Sequence, residues 1–183
     1  MTSGDDQQET ARITLDPAWI VGFVDGEGCF SVSFHRNERY AGRSFGWQIN
    51  PTFHLYQHLR YRFILDAVQR HFGVGRIAAK GPSSSVLTYS VQRRADVSGM
   101  IIPFFERHPL LVKAHDFRVF AEIVSRLRKG EHFTASGFDR IAQLAYTMNG
   151  EGKQRARRIE EILNGSSETV RRAPPGTNVV PDG

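Results

Sequence analysis

The 183-residue chain holds a single cysteine, Cys29, which rules out an intrachain disulfide framework and points to a reducing compartment. Lysine is nearly as scarce: Lys80, Lys113, Lys129 and Lys153 are the only four, so twenty of the 24 basic residues are arginines. No apolar run approaches the length of a membrane span. The first fourteen residues, Met1 to Thr14, are polar and carry acids, unlike a secretion signal. These absences argue against a disulfide-stapled secreted scaffold and against a helical membrane protein. The expectation is a soluble intracellular protein of the cytoplasm, nucleoid or an organelle interior, with no membrane partner and no secretion.

What is present is enough for one domain. Hydrophobic residues make up 40% and aromatics 11%, a composition that buries a core. Basic residues exceed the 19 acids and leave a net charge of +5. Arginine's planar fork suits phosphates and guanine edges, so the bias leans towards nucleic acid, although a skewed genomic base composition gives the same excess.

Order is expected to begin at Leu15. Asp16 before Pro17 is a helix start, an N-cap acid ahead of a proline at the first helical position. That helix runs through Trp19, Ile20, Phe23 and Val24 and stops around Gly26 to Gly28. Phe30 to His35 then alternates at strand period. A longer alternation places Phe45, Trp47, Ile49, Phe53 and Leu55 on one face, with Ser44, Gln48, Asn50, Thr52 and His54 on the other. A charged turn, Arg36 to Arg39, joins the two. Tyr61, Ile64, Leu65, Val68 and Phe72 repeat at helical spacing up to Gly73. Two short strands follow, Gly75 to Lys80 and Val86 to Gln92. Val97, Met100, Ile101, Phe104 and Phe105 form a further helical stripe, expected to kink or split at Pro103. A long helix from Lys113 to Lys129 closes at Gly130, and helices near Thr134 to Met148 and Gln154 to Leu163 complete the pattern. The domain is placed at residues 15–165, between a flexible tail of residues 1–14 and a largely disordered tail of residues 166–183.

The order is α+β, with helices on one face of an antiparallel sheet. The other face carries Ser33, His35, Gln48, Asn50, Thr52, His54, Thr88, Ser90 and Gln92. A plain solvated face would hold more lysine and glutamate, whereas short amides, hydroxyls and imidazoles match the donors and acceptors of base edges.

Two features of the first helix are unusual. Ala18, Gly22 and Gly26 recur every four residues and leave a stripe without bulk, against which another helix, of this chain or of a second copy, can pack closely. Asp25 and Glu27 lie at the helix end, where the dipole disfavours acids and a hard divalent cation would compensate them.

Together, Ile20-Val21-Gly22-Phe23-Val24-Asp25-Gly26-Glu27-Gly28 resembles the nine-residue motif of the LAGLIDADG homing endonucleases, single-motif type. Thr52-Phe53 with Gln57, His71 to Gly75, Pro109 to Lys113 and Ser167 to Arg171 are also similar to such members, and the resemblance covers Leu15 to Arg172. It implies an αββαββα core with a saddle-shaped antiparallel sheet and extra C-terminal helices. It further implies a homodimer whose motif helices meet through Ala18, Gly22, Asp25 and Gly26. The implied activity is magnesium-dependent cleavage of both strands of a long near-palindromic double-stranded DNA site, with manganese an acceptable substitute and no organic cofactor. By the resemblance, Glu27 and the Gly26 carbonyl hold metal, Gln57 orients water and Lys113 stabilises charge. Ser33, His35, Gln48, Asn50, His54, Arg76, Lys80, Thr88 and Ser90 face the DNA. Glu27 departs from the aspartate of many members. An intron RNA maturase, a non-cleaving DNA-binding protein of the same fold and a plain helix-packing module remain as alternative readings.

Overall fold

Local signals set each element in place before packing does. In this computed structural model, which describes residues 13–40, 45–150 and 158–163, helix α1 spans Pro17–Glu27. Its start matches the sequence signal: the Asp16 carboxylate accepts the Ala18 N–H at 2.7 Å, and Pro17 opens the first turn. The helix passes without a loop into β1, Gly28–Arg36. That abrupt join needs a residue lacking a side chain, because a Cβ on Gly28 would stand 2.6 Å from the Val24 carbonyl oxygen.

β2, Trp47–His58, pairs antiparallel with β1 from Gly28↔Leu55 to Arg36↔Trp47. The expected charged turn carries a single 3-10 turn at Glu38–Tyr40, and the Asn37 N–H donates to the Gly46 carbonyl at 3.0 Å to close the hairpin. Helix α2, Arg62–Phe72, ends at Gly73 in the left-handed region, as expected of a C-terminal glycine cap. β3, Arg76–Ala79, and β4, Val86–Val91, complete a four-stranded antiparallel sheet in the order β1-β2-β4-β3.

After the sheet come α3, Arg94–Asp96, a five-residue π-helical stretch, Val97–Ile101, and α4, Ile102–Arg107. The irregularity expected at Pro103 falls upstream of it. Pro103 sits in the first turn of α4, where its missing N–H disrupts nothing, and the wide π turn absorbs the mismatch before it. Helix α5, Ala114–Arg128, closes at Gly130, and α6, Ala135–Thr147, is capped by Thr134, whose hydroxyl accepts the Gly137 N–H at 3.1 Å. Residues 159–163 are helical. The expected helix Gln154–Leu163 is thus only partly within the described residues, and Ser44 and nearly all of both expected tails lie outside them.

The α+β expectation holds, and the helices share one face of the sheet. Phe30 is the hub of an aromatic cluster on that face, its ring centroid 5.3 Å from Phe53, 5.4 Å from Phe117 and 5.3 Å from Phe120, with Phe105 edge-on at 5.7 Å. These rings tie the edge strand β1 and its neighbour β2 to α4 and α5, and truncating such a side chain costs about 3–5 kcal/mol. Three residues placed on apolar stripes by spacing are instead exposed: Trp19, Tyr61 and Met100. Trp19 stacks on Phe23 at 5.0 Å on the outer side of α1, while Ile20 and Val24 fill the core.

Candidate active site and nucleic-acid interface

The end of α1 gathers the acids. Glu27 is exposed, as are Ala18, Gly22 and Gly26, and a Cβ on Gly22 or Gly26 would meet nothing within 4 Å. The small-residue stripe therefore faces away from the core, and no helix among the described residues occupies it.

Asp25 has a separate task. Its carboxylate accepts the backbone N–H of Leu111 at 2.9 Å and of Lys113 at 3.0 Å, and the Lys113 ammonium donates to the Asp25 carbonyl at 2.9 Å. The loop ahead of α5 is thereby clamped to the end of α1. The lysine's charge thus sits on the negative end of the helix dipole, at the carbonyl of the residue two positions before Glu27. The side chains of Leu111 and Val112 are left 85% and 77% exposed beside it.

Gln57 continues β2 two residues past its last pair with β1, Gly28↔Leu55, at the sheet end where α1 gives way to β1. Its Oε1 accepts the His58 N–H at 2.7 Å. Cys29, the second residue of β1, has its thiol pushed up by burial, opposed by the Lys113 charge and reinforced by Asp116.

The face of the sheet opposite the helices carries the expected polar set in cross-strand rows. His35 lies opposite Gln48, Ser33 opposite Asn50 and Ser31 opposite Thr52. A longer row runs Cys29, His54, Ser90, Arg76, and beside it Tyr56, Thr88, Ala78. Lys80 hangs over this edge with its ammonium 5.0 Å from the Tyr56 ring centre. Burial depresses the His54 pKa and keeps the imidazole neutral, and its Nδ1 has no partner among the described residues. Thr52 and Ser90 share the face but are nearly covered, so Ser90 does not stand free as a contact.

Sequence reasoning missed several side chains here. Arg36 lies 4.4 Å over the Trp47 ring and donates to the Phe45 carbonyl at 3.1 Å, which holds a guanidinium at the hairpin. Asn37 joins Gln48 and Asn50 in a chain of amides. The pairing of the two hairpin arms supplies the Arg36–Trp47 and Asn37–Gln48 contacts, which spacing along one strand does not reveal. Among the described residues no group of three or more His, Cys, Asp or Glu could hold a metal ion. No described helix is long and apolar enough to cross a membrane.

A four-stranded antiparallel sheet with one polar face, flanked by an outward-facing glycine-lined helix that ends in paired acids, defines the fold class of the LAGLIDADG nucleases. Residues 20–124, more than half of the chain, match the LAGLIDADG endonuclease family. The chain belongs to that family. It is 28% identical over 149 residues to homing endonuclease I-ApeII of Aeropyrum pernix, covering 79% of this chain and 86% of that protein. It is 29% identical over 136 residues to a probable intron-encoded endonuclease of Neurospora crassa, covering 74% of this chain but only 29% of the fungal protein's length. The DNA-complexed archaeal intron-encoded homing endonuclease I-Vdi141I superposes with a TM-score of 0.75 at 28% identity, over 85% of this chain and 96% of that one.

Proposed function

We propose that two copies of this chain form a homodimeric, site-specific DNA endonuclease that hydrolyses both strands of a long near-palindromic duplex site. The observation that carries the reading is the outward glycine face of α1 ending in the exposed Glu27 carboxylate. A stripe that bares the backbone towards open space suits a second copy of the same helix, and twofold pairing through Ala18, Gly22 and Gly26 sets two Glu27 carboxylates near one axis. Asp25 stays at this junction while its carboxylate secures the loop of its own chain. The DNA complex of I-Vdi141I and the intron-encoded relatives support DNA as the partner.

The donor set fits a hard divalent cation. Glu27 and the Gly26 carbonyl are oxygen ligands at the negative end of a helix, and the same groups of a second copy with a DNA phosphate would complete the shell. Magnesium, with manganese as substitute, would there lower the pKa of a water and neutralise charge on the phosphoryl oxygens. Gln57 would orient the attacking water through its amide. Lys113, held on the helix end by Asp25, would offset the negative charge that builds as one P–O bond forms and another breaks. Neither step needs a covalent bond to the protein. Ser33, His35, Gln48, Asn50, His54, Thr88, Arg76 and Lys80 would line the major groove, with the covered Ser90 supporting His54 and Arg76 from between them.

Selection of cut sites from a random duplex library with magnesium tests the reading, comparing the unaltered protein with Glu27→Gln. The expected result is a twofold-symmetric site cut by the former and bound but uncut by the latter. Binding without cutting by the unaltered protein would favour a regulator or a splicing factor of this fold, and cutting that survives Glu27→Gln would remove Glu27 from the site.

A further inference from the structure

Asn37 lies outside every role assigned so far, in the hairpin between β1 and β2. We propose that Asn37 sets the hydrogen-bonding polarity with which Asn50 meets a base pair, acting as a positioning residue for DNA specificity. The inference rests on the open sheet face being the DNA contact.

A side-chain amide can turn over and exchange its oxygen for its nitrogen, so an isolated Asn offers a donor or an acceptor as the base requires. Here one end of a chain of amides is pinned by a group that cannot reverse. The backbone N–H of Arg39 only donates, and it donates to Asn37 Oδ1 at 3.1 Å. Asn37 Nδ2 is therefore turned to Gln48 and donates to its Oε1 at 3.0 Å. Gln48 Nε2 in turn donates to Asn50 Oδ1, also at 3.0 Å. The oxygen of Asn50 is engaged along the sheet, and its Nδ2 has no acceptor among the described residues. The neighbouring strand does not compete, because His35 and Ser33, opposite Gln48 and Asn50, are within 3.1 Å of each other through Nε2 and Oγ.

Asn50 thus presents a donor to the groove. In the major groove a donor finds acceptors on guanine N7 and O6, adenine N7 and thymine O4, whereas cytosine offers only its N4 donor. The base met by Asn50 should accordingly be one other than cytosine. The same logic gives a reversal. In Asn37→Asp one carboxylate oxygen still accepts from Arg39, but the other can only accept as well. Gln48 must then turn its Nε2 towards Asp and its Oε1 towards Asn50, and Asn50 must turn its Nδ2 inward and its oxygen outward. The outward group becomes an acceptor, with no change in side-chain size.

Binding selection from a random duplex library, with the full chain, tests this directly. Asn50→Ala identifies the base pair concerned by flattening preference at one position in each half-site. At that position the unaltered protein should disfavour cytosine by about five- to tenfold, the effect of one hydrogen bond mismatched. Asn37→Asp should reverse the preference towards cytosine there alone. Its added charge weakens binding to all sequences alike and so cancels in the ratio. Asn37→Ala, which removes the anchor without adding charge, should erase the preference and keeps the test valid should the aspartate variant fail to fold. Preference at the Asn50 position unchanged in both Asn37 variants, or no position altered by Asn50→Ala, would overturn the proposal. An unaltered protein that enriches no sequence would instead overturn the DNA reading, and this inference with it.

Discussion

Gly22 and Gly28 belong to the same helix-to-strand unit and answer to different demands. A Cβ on Gly28 would lie 2.6 Å from the Val24 oxygen and 2.7 Å from Val24 Cγ1, so the fold of a single chain forbids it. A Cβ on Gly22 or Gly26 would meet nothing within 4 Å among the described residues, so their packing does not require glycine there. An exposed glycine inside a helix costs up to about 1 kcal/mol relative to alanine. A cost that one chain does not require points to a partner that does, and the homodimer proposed here supplies it.

The contrast breaks most readily at its inward end. Gly28→Ala forces Val24 and the strand start apart and should lower unfolding stability by about 3 kcal/mol, read from urea melts. Gly22→Leu should leave the melting of the single chain unchanged or raised by up to ~1 kcal/mol, while sedimentation shows the dimer lost and DNA cutting falls with it. A Gly22→Leu protein that stays dimeric and active would end the argument from the open stripe.

These two residues also show what the sequence makes legible. Asp16-Pro17, Gly73 and Gly130 signal helix ends through contacts within a turn, and the period-two alternations of β1 and β2 separate the core face from the polar one. All of that is local chemistry, and it placed the elements to within a few residues. The direction in which Gly22 and Gly26 face is not local, because either face of a short apolar helix can carry small residues. The clamp of Asp25 on Leu111 and Lys113 joins residues 86 and 88 positions apart, and no spacing rule reaches that far. The resemblance marked Lys113, but its bond to the helix end appears only in three dimensions. Ser90 was assigned by parity alone, which says nothing of how far its neighbours cover it.

Asp25 sharpens the comparison, because it serves the inward and the outward demand together. Asp25→Asn keeps the shape but leaves one amide N–H of the loop facing an NH2 group. Losing a hydrogen bond to a charged acceptor should cost about 2 kcal/mol. The loop carrying Lys113 would then be free of the helix end, so the single-turnover cutting rate should fall while affinity for the target remains. A purely structural role would lower the melting temperature and leave the cutting rate of the folded fraction intact.

The same division runs through two histidines whose Nδ1 atoms lack partners among the described residues, His54 on the open face and His132 in the interior. Burial, aided by the charge of Arg94, pushes His132 down to about 4, so the folded state holds it neutral. Between that value and the ordinary imidazole range near 6.5 the unfolded chain binds the extra proton, and stability therefore falls as pH drops through this window and levels off below it. The contribution at pH 5 is about 1–2 kcal/mol. His132→Phe should flatten the decline in melting temperature between pH 6.5 and 4 and leave sequence preference untouched, since nothing of His132 reaches the sheet's polar face. His54→Phe should alter sequence preference instead. If His132→Phe left the acid decline as steep as before, His54 and His71, both also held down by burial, would be its source, and the inward member of this pair would be misassigned.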